Sequence, residues 1–228
     1  MKGNHIMNKF IKFFGLRLST SEWIKLIGVK VNNIAQLKKA FSRLSKRNRI
    51  RFKISLRKAK RKNTIIICID PGKLNYGFSI MDTYGKVFKY GMISNTITIL
   101  KGRKFSKQKD AFLNEIKKTF NTDKYTILII ERFMNRGMLR GNTGECTLIM
   151  MGLLIGSIKG HTILFTAAQW KNFFRKEEII FDNKNISDHI RDSISMGLYF
   201  LVKERYIKLS KAKKIISELN EKHRRSTI

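Results

Sequence analysis

Residues 64–72 read TIIICIDPG, running from Thr64 to the turn formers Asp70, Pro71 and Gly72. The first six are apolar or β-branched with no polar alternation. That is the pattern of a strand buried on both faces, which arises where helices cover a sheet from either side. Pro71 lacks the N–H that a ladder needs and Gly72 suits a tight turn, so the strand stops there. Downstream, Tyr76 to Met81 and Val87 to Ile93 read as two further strands, joined by the turn Asp82-Thr83-Tyr84-Gly85. Phe105 to Phe120 has helical amphipathic spacing, and Tyr125 to Ile130 is a second buried strand, ending at Glu131. A small- and apolar-rich helix over Thr143 to Ile158, a short strand over Thr162 to Thr166 and a helix over Ser187 to Lys203 complete the reading. Three antiparallel strands followed by helix, strand, helix, strand, helix give an α/β class with a mixed sheet.

The chain of 228 residues carries 48 Lys and Arg against 16 Asp and Glu, a net charge of +32. With 43% hydrophobic residues it can still bury a core, so it is no disordered basic tail. A small acidic substrate needs one basic pocket; a surplus this large points to a polyanion, nucleic acid before an anionic membrane. The charge is uneven: residues 1 to 63 hold 19 basic side chains and one acid, Glu22. We therefore divide the chain into a small basic helical module, 1–63, and a less basic globular domain, 64–228. Within the module, Ser19 to Gly28 and a second helix carrying Ile34, Leu37, Phe41 and Leu44 resemble a helix-turn-helix. A plain helical hairpin with a basic face is an equal reading, and either provides phosphate contacts.

The acids are few and their positions are telling. Two of the most apolar runs each stop at one, IIICI at Asp70 and ILII at Glu131. In α/β sheets the carboxyl ends of strands expose the functional groups. If both acids share one edge at ~4 Å, they repel by ~4 kcal/mol at an effective dielectric of ~20, and a hard divalent cation would offset that. A third acidic element is Ser187-Asp188-His189-Ile190-Arg191-Asp192, where helical spacing puts Asp188 and His189 on the face of Asp192. Ser193, Ile194, Met196 and Gly197 follow and are suited to packing on the sheet.

Taken in order, these elements resemble the RuvC-type Holliday junction resolvases. Asp70-Pro71-Gly72 followed by Asn75-Tyr76-Gly77 is similar to their first motif, and IIERF to their second acidic strand end. DHIRDSISMG is similar to the last motif, with Ser193 where many members have Ala, and Ala167 to Lys171 to a tryptophan-lysine segment. The likeness spans residues 64 to about 205. It implies an RNase H-like fold and a metal-dependent endonuclease that resolves four-way junctions, or another RuvC-like nuclease acting on other branches. A non-catalytic binder on the same fold is the reading from a different class, and the retained acids speak against it. The implied site is Asp70, Glu131, His189 and Asp192 around Mg²⁺ or Mn²⁺, with two ions ~3.5–4 Å apart expected per site; Asp188 is the alternative to His189.

In the loop after Glu131, Arg132, Arg136 and Arg140 can clamp phosphates, and Phe133 either stacks at an opened junction or packs in the core; the resemblance makes this the junction-probing loop, with Lys171 as a further DNA contact. It implies a homodimer, since a four-way junction presents two equivalent strands; the helix over Thr143 to Ile158 is then mostly core with a partial interface role. Cys68 and Cys146 lack a disulfide or metal-site setting, which fits a reducing compartment. No apolar run is long enough to span a bilayer, and the basic residues are spread over strands, loops and helices rather than gathered on one amphipathic face, so no membrane partner is expected. Near the start, the stretch MNKFIKFFGLRLS (residues 7–19) lacks a long apolar run and a small-residue cleavage site. The expected location is the cytoplasm, the host's if the chain is phage-encoded, with organellar targeting left open.

Overall fold

The computed structural model describes residues 61–72, 75–94, 97, 102–121, 124–132 and 143–221. The helix-turn-helix reading within residues 1–60, and the loop residues Phe133, Arg136 and Arg140, lie outside them. The chain divides into two compact units, Met1–Thr64 and Ile65–Ile228, and everything below belongs to the second, together with Thr64 where β1 begins.

Five strands form one mixed sheet: β1 (Thr64–Pro71), β2 (Asn75–Asp82), β3 (Val87–Ser94), β4 (Tyr125–Glu131) and β5 (Gly160–Phe165). Their order across the sheet is β3-β2-β1-β4-β5. β1 pairs antiparallel with β2 and β2 with β3, whereas β4 and β5 run parallel. With helices on both faces, this is the RNase H-like layout. The helices are α1 (Gly102–Thr119), α2 (Thr143–Ser157), α3 (Ala167–Lys176), α4 (Asp188–Lys203) and α5 (Leu209–Glu221). Sequence reading anticipates α1, α2 and α4 but not α3 or α5.

The two-sided burial of β1 is literal. Ile65, Ile67 and Ile69 join one core with Phe112 and Ile116 of α1 and Met150 and Leu154 of α2. Ile66 and Cys68 join the other, with Trp170 and Phe174 of α3, Ile194 and Leu198 of α4 and Ile216 of α5. Each fully buried aliphatic side chain of this kind contributes ~1.5–3 kcal/mol. The Tyr76 hydroxyl donates to the Thr147 carbonyl at 3.1 Å, tying β2 to α2 inside the first core. The β2–β3 turn closes as its residues dictate: Asp82 Oδ1 accepts the N–H groups of Tyr84 and Lys86 at 2.8 and 2.9 Å, and Gly85 takes φ +86°.

Strand parity positions the site. On β1 the side chains of Ile66, Cys68 and therefore Asp70 share one face. On β4 the same face carries Ile127, Ile129 and therefore Glu131. α3, α4 and α5 pack there, so both strand-end acids emerge beneath α3 and α4. The seam with α4 is closed by small residues: a Cβ at Gly197 would stand 2.7 Å from Cys68 Sγ, and one at Gly77 2.7 Å from His189 Cβ.

Candidate functional site

Asp70 ends the buried run of β1 and is itself buried. His189 Nδ1, from the first turn of α4, lies 2.6 Å from Asp70 Oδ2. One turn further, Asp192 Oδ2 receives Lys171 Nζ of α3 at 2.8 Å. Glu131 Oε2 accepts the indole N–H of Trp170 at 3.0 Å. Asp70, Glu131 and Asp192 are close enough for their charges to act on one another. The sequence-predicted residues Asp70, Glu131, His189, Asp192 and Lys171 thus stand together at one edge of the sheet. Arg132 is exposed at the end of β4. Among the described candidate ligands, Asp188 is directed elsewhere: its side chain is 84% exposed and pairs with Arg191 of its own helix.

The electrostatics follow from crowding acids at a buried edge. Burial, above all, holds the Asp70 carboxyl above the usual carboxylate range; the His189 hydrogen bond and charge pull it back, while Asp192 adds to the rise. Glu131 is raised too, first by burial and then by Asp70, with Trp170 and Lys171 opposing. Burial works against the Lys171 charge, but the Asp192 contact and the other two carboxylates outweigh it, and its pKa is held above the ordinary lysine value. Cys68, behind β1, is driven upward by burial and is an inert core thiol.

A carboxyl whose pKa is higher folded than unfolded favours folding below its unfolded pKa, and that contribution is lost as pH rises through the folded value. Above the ordinary carboxylate range the burial of Asp70 and Glu131 therefore weighs against the fold. Asp70→Asn is expected to melt above the wild type at pH 7 in the presence of a chelator, with the gap narrowing toward pH ~4. A melting series over pH checks this, and an Asn variant no more stable at pH 7 contradicts it.

Three carboxylates and an imidazole form the oxygen-rich donor set that hard divalent cations take. Their charges repel, and the cations beside them are Lys171 and, when protonated, His189. Among the described residues no three ligating side chains converge closely enough to hold an ion; one oxygen of Asp70 is on His189 and one of Asp192 is on Lys171. The donor chemistry fits a metal; His189 and Lys171 would have to yield those oxygens to it.

No protein-family model and no curated protein matches the sequence. Among solved structures, the chain is similar to T. thermophilus RuvC in complex with a Holliday junction substrate, at 11% identity and TM-score 0.46, covering 62% of this chain and 96% of that one. It is also similar to the Thermus thermophilus RuvC structure, at 14% identity and TM-score 0.44, with the same coverage. At these values the likeness carries no functional weight, and the fold stands on the strand order and pairing described above.

Sequence reading quotes Trp170 without giving it a role, and misses the helix that carries it. A signal was there: Thr166-Ala167-Ala168-Gln169 has capping-box spacing, and Gln169 Oε1 accepts the Thr166 N–H at 2.9 Å. For α5, the spacing of Leu209, Ala212, Ile216 and Leu219 was the equivalent signal. Beside the acids opens a cavity of about 460 Å³, lined in part by Lys171, Arg175 and Arg191 over Trp170 and Phe174.

Proposed function

We propose that this chain is a metal-dependent, structure-selective DNA endonuclease that resolves four-way junctions by paired phosphodiester hydrolysis. The observation that carries the reading is the gathering of Asp70, Glu131 and Asp192, from β1, β4 and α4, at one edge of a sheet in an otherwise strongly basic chain. A phosphate binder gains nothing from three clustered carboxylates, since each repels the ligand. A nuclease needs them to hold Mg²⁺ or Mn²⁺, which when bound activates water and stabilises the leaving oxygen. In that role Asp70, Glu131 and Asp192 are the oxygen donors. His189, already on Asp70, either ligates or orients the attacking water through its ring nitrogens. Lys171 is placed to exchange Asp192 for a phosphate oxygen, and Arg132 and Arg175 extend the basic surface along the strand's path.

Two equivalent scissile strands call for two active sites, hence a homodimer. α2 supports this: Leu148 is 55% and Ile155 38% exposed, and Gly152 and Gly156 between and beside them face open space. Among the described residues no helix is long and apolar enough to cross a membrane. The two cysteines, both free and buried, suit a reducing cytoplasm.

The test compares Mg²⁺-dependent cutting of four-way, three-way and linear DNA by the purified protein. Paired, symmetric nicks confined to the four-way substrate are expected. Equal cutting of three-way DNA would make it a nuclease of broader branch selectivity, and no cutting of any substrate would contradict the reading.

A further inference from the structure

We propose that Trp170 is a positioning residue whose indole N–H holds one oxygen of Glu131 and so presents the other to the divalent cation; this rests on the nuclease reading above. The placement is built from local structure. Parallel pairing of β4 with β5 sets Glu131 beside Phe165, and the Arg132 N–H extends that pairing by donating to the Phe165 carbonyl at 2.6 Å. Thr166 and Gln169 then start α3 at once, so Trp170 arrives one turn later at the edge where Glu131 emerges.

The ring cannot easily leave. Trp170 is only 4% exposed and meets Phe174 edge-on, 6.3 Å between centroids at 85°. Lys171 Nζ lies 4.8 Å from its centroid, so the indole also supports the lysine that reaches Asp192. A buried indole N–H requires an acceptor, and an ionised carboxylate gives the strong, charge-assisted kind. Packing alone explains the ring but not the choice of tryptophan, since Phe fills an apolar core without leaving a donor to satisfy. The donor is spent on Glu131 Oε2. A glutamate side chain has three rotatable bonds, and with one oxygen fixed Oε1 is the atom offered to a ligand. Partners that fix a ligating carboxylate in this way change metal affinity by about 10–100-fold when removed.

Two replacements separate donor from bulk: Trp170→Phe, and substitution of Trp170 by benzothienylalanine, which keeps the bicyclic shape but has sulfur in place of the N–H. Mn²⁺ is titrated calorimetrically into the intact wild-type chain and into each variant, with melting in chelator as the measure of packing. The wild type is expected to bind Mn²⁺, and the benzothienylalanine protein to bind it about 10–100-fold more weakly. If Trp170→Phe does not fold, the isosteric replacement alone decides. Equal Mn²⁺ affinity in wild type and isostere would overturn the positioning role while leaving the nuclease reading intact. No Mn²⁺ binding by the wild type would overturn the nuclease reading and this inference with it.

Discussion

Asp70→Asn is expected to abolish Mg²⁺-dependent junction cleavage, by at least about 10³-fold or ~4 kcal/mol of transition-state stabilisation, while junction binding is retained or tightened. Asp70 is the most buried of the three acids and ends the most deeply buried strand, so its position is the best fixed by packing. Asn keeps its volume and can still hydrogen-bond His189, so the fold is preserved. What goes is one negative charge from a centre whose proposed task is to hold a cation. Binding depends instead on the basic surplus of the chain, which the substitution increases by one and which acts through phosphate neutralisation and counterion release. Single-turnover cleavage and junction binding at matched salt check both halves. Cleavage within about tenfold of wild type would remove Asp70 from the chemistry.

Gly77→Ala should destabilise the fold. Gly77 sits opposite Asp70 in the β1–β2 ladder, and a Cβ there would run into the backbone carbonyl and Cβ of His189. Backbone cannot rotate aside as a side-chain tip can, so α4 must lift from the sheet at its first turn. Overpacking of this sort costs ~1–3 kcal/mol, and each kcal/mol lowers the melting temperature by about 2–4 °C in a domain of this size. Because the displaced turn carries His189, cleavage should fall as well. Gly152→Ala, in the middle of α2 where a Cβ meets open space, is the contrast: it should stabilise by ~0.5–1 kcal/mol. If Gly77→Ala melts with the wild type, α4 does not approach β2 as closely as described.

The difference between these two glycines marks what could be read from sequence and what could not. The apolar runs before Asp70 and Glu131 announce buried strands, and the acids that stop them announce an edge. The face on which those acids emerge depends on the strands' register and on which helices cover each side, and neither is a local property. Parity resolves it: Asp70 follows Ile66 and Cys68, Glu131 follows Ile127 and Ile129, and all four apolar residues lie in the core under α3, α4 and α5. His189 and Asp188 are equivalent by helical spacing, and only the fold separates them, sending His189 to Asp70 and Asp188 to Arg191. Trp170 was the least legible. A tryptophan in an amphipathic segment reads as core, which it is, and its N–H acquires a partner only because parallel pairing delivers Glu131 beside the start of α3. Lys171, read as a DNA contact, lies on Asp192, an ion pair between two segments whose proximity nothing in their spacing reveals.

Whether these acids form a cation site can be seen by anomalous diffraction from crystals grown with Mn²⁺. An anomalous peak is expected among Asp70, Glu131 and Asp192, with Lys171 withdrawn from Asp192. Crystals that show no peak there, with Lys171 still on Asp192 and His189 still on Asp70, would contradict that expectation.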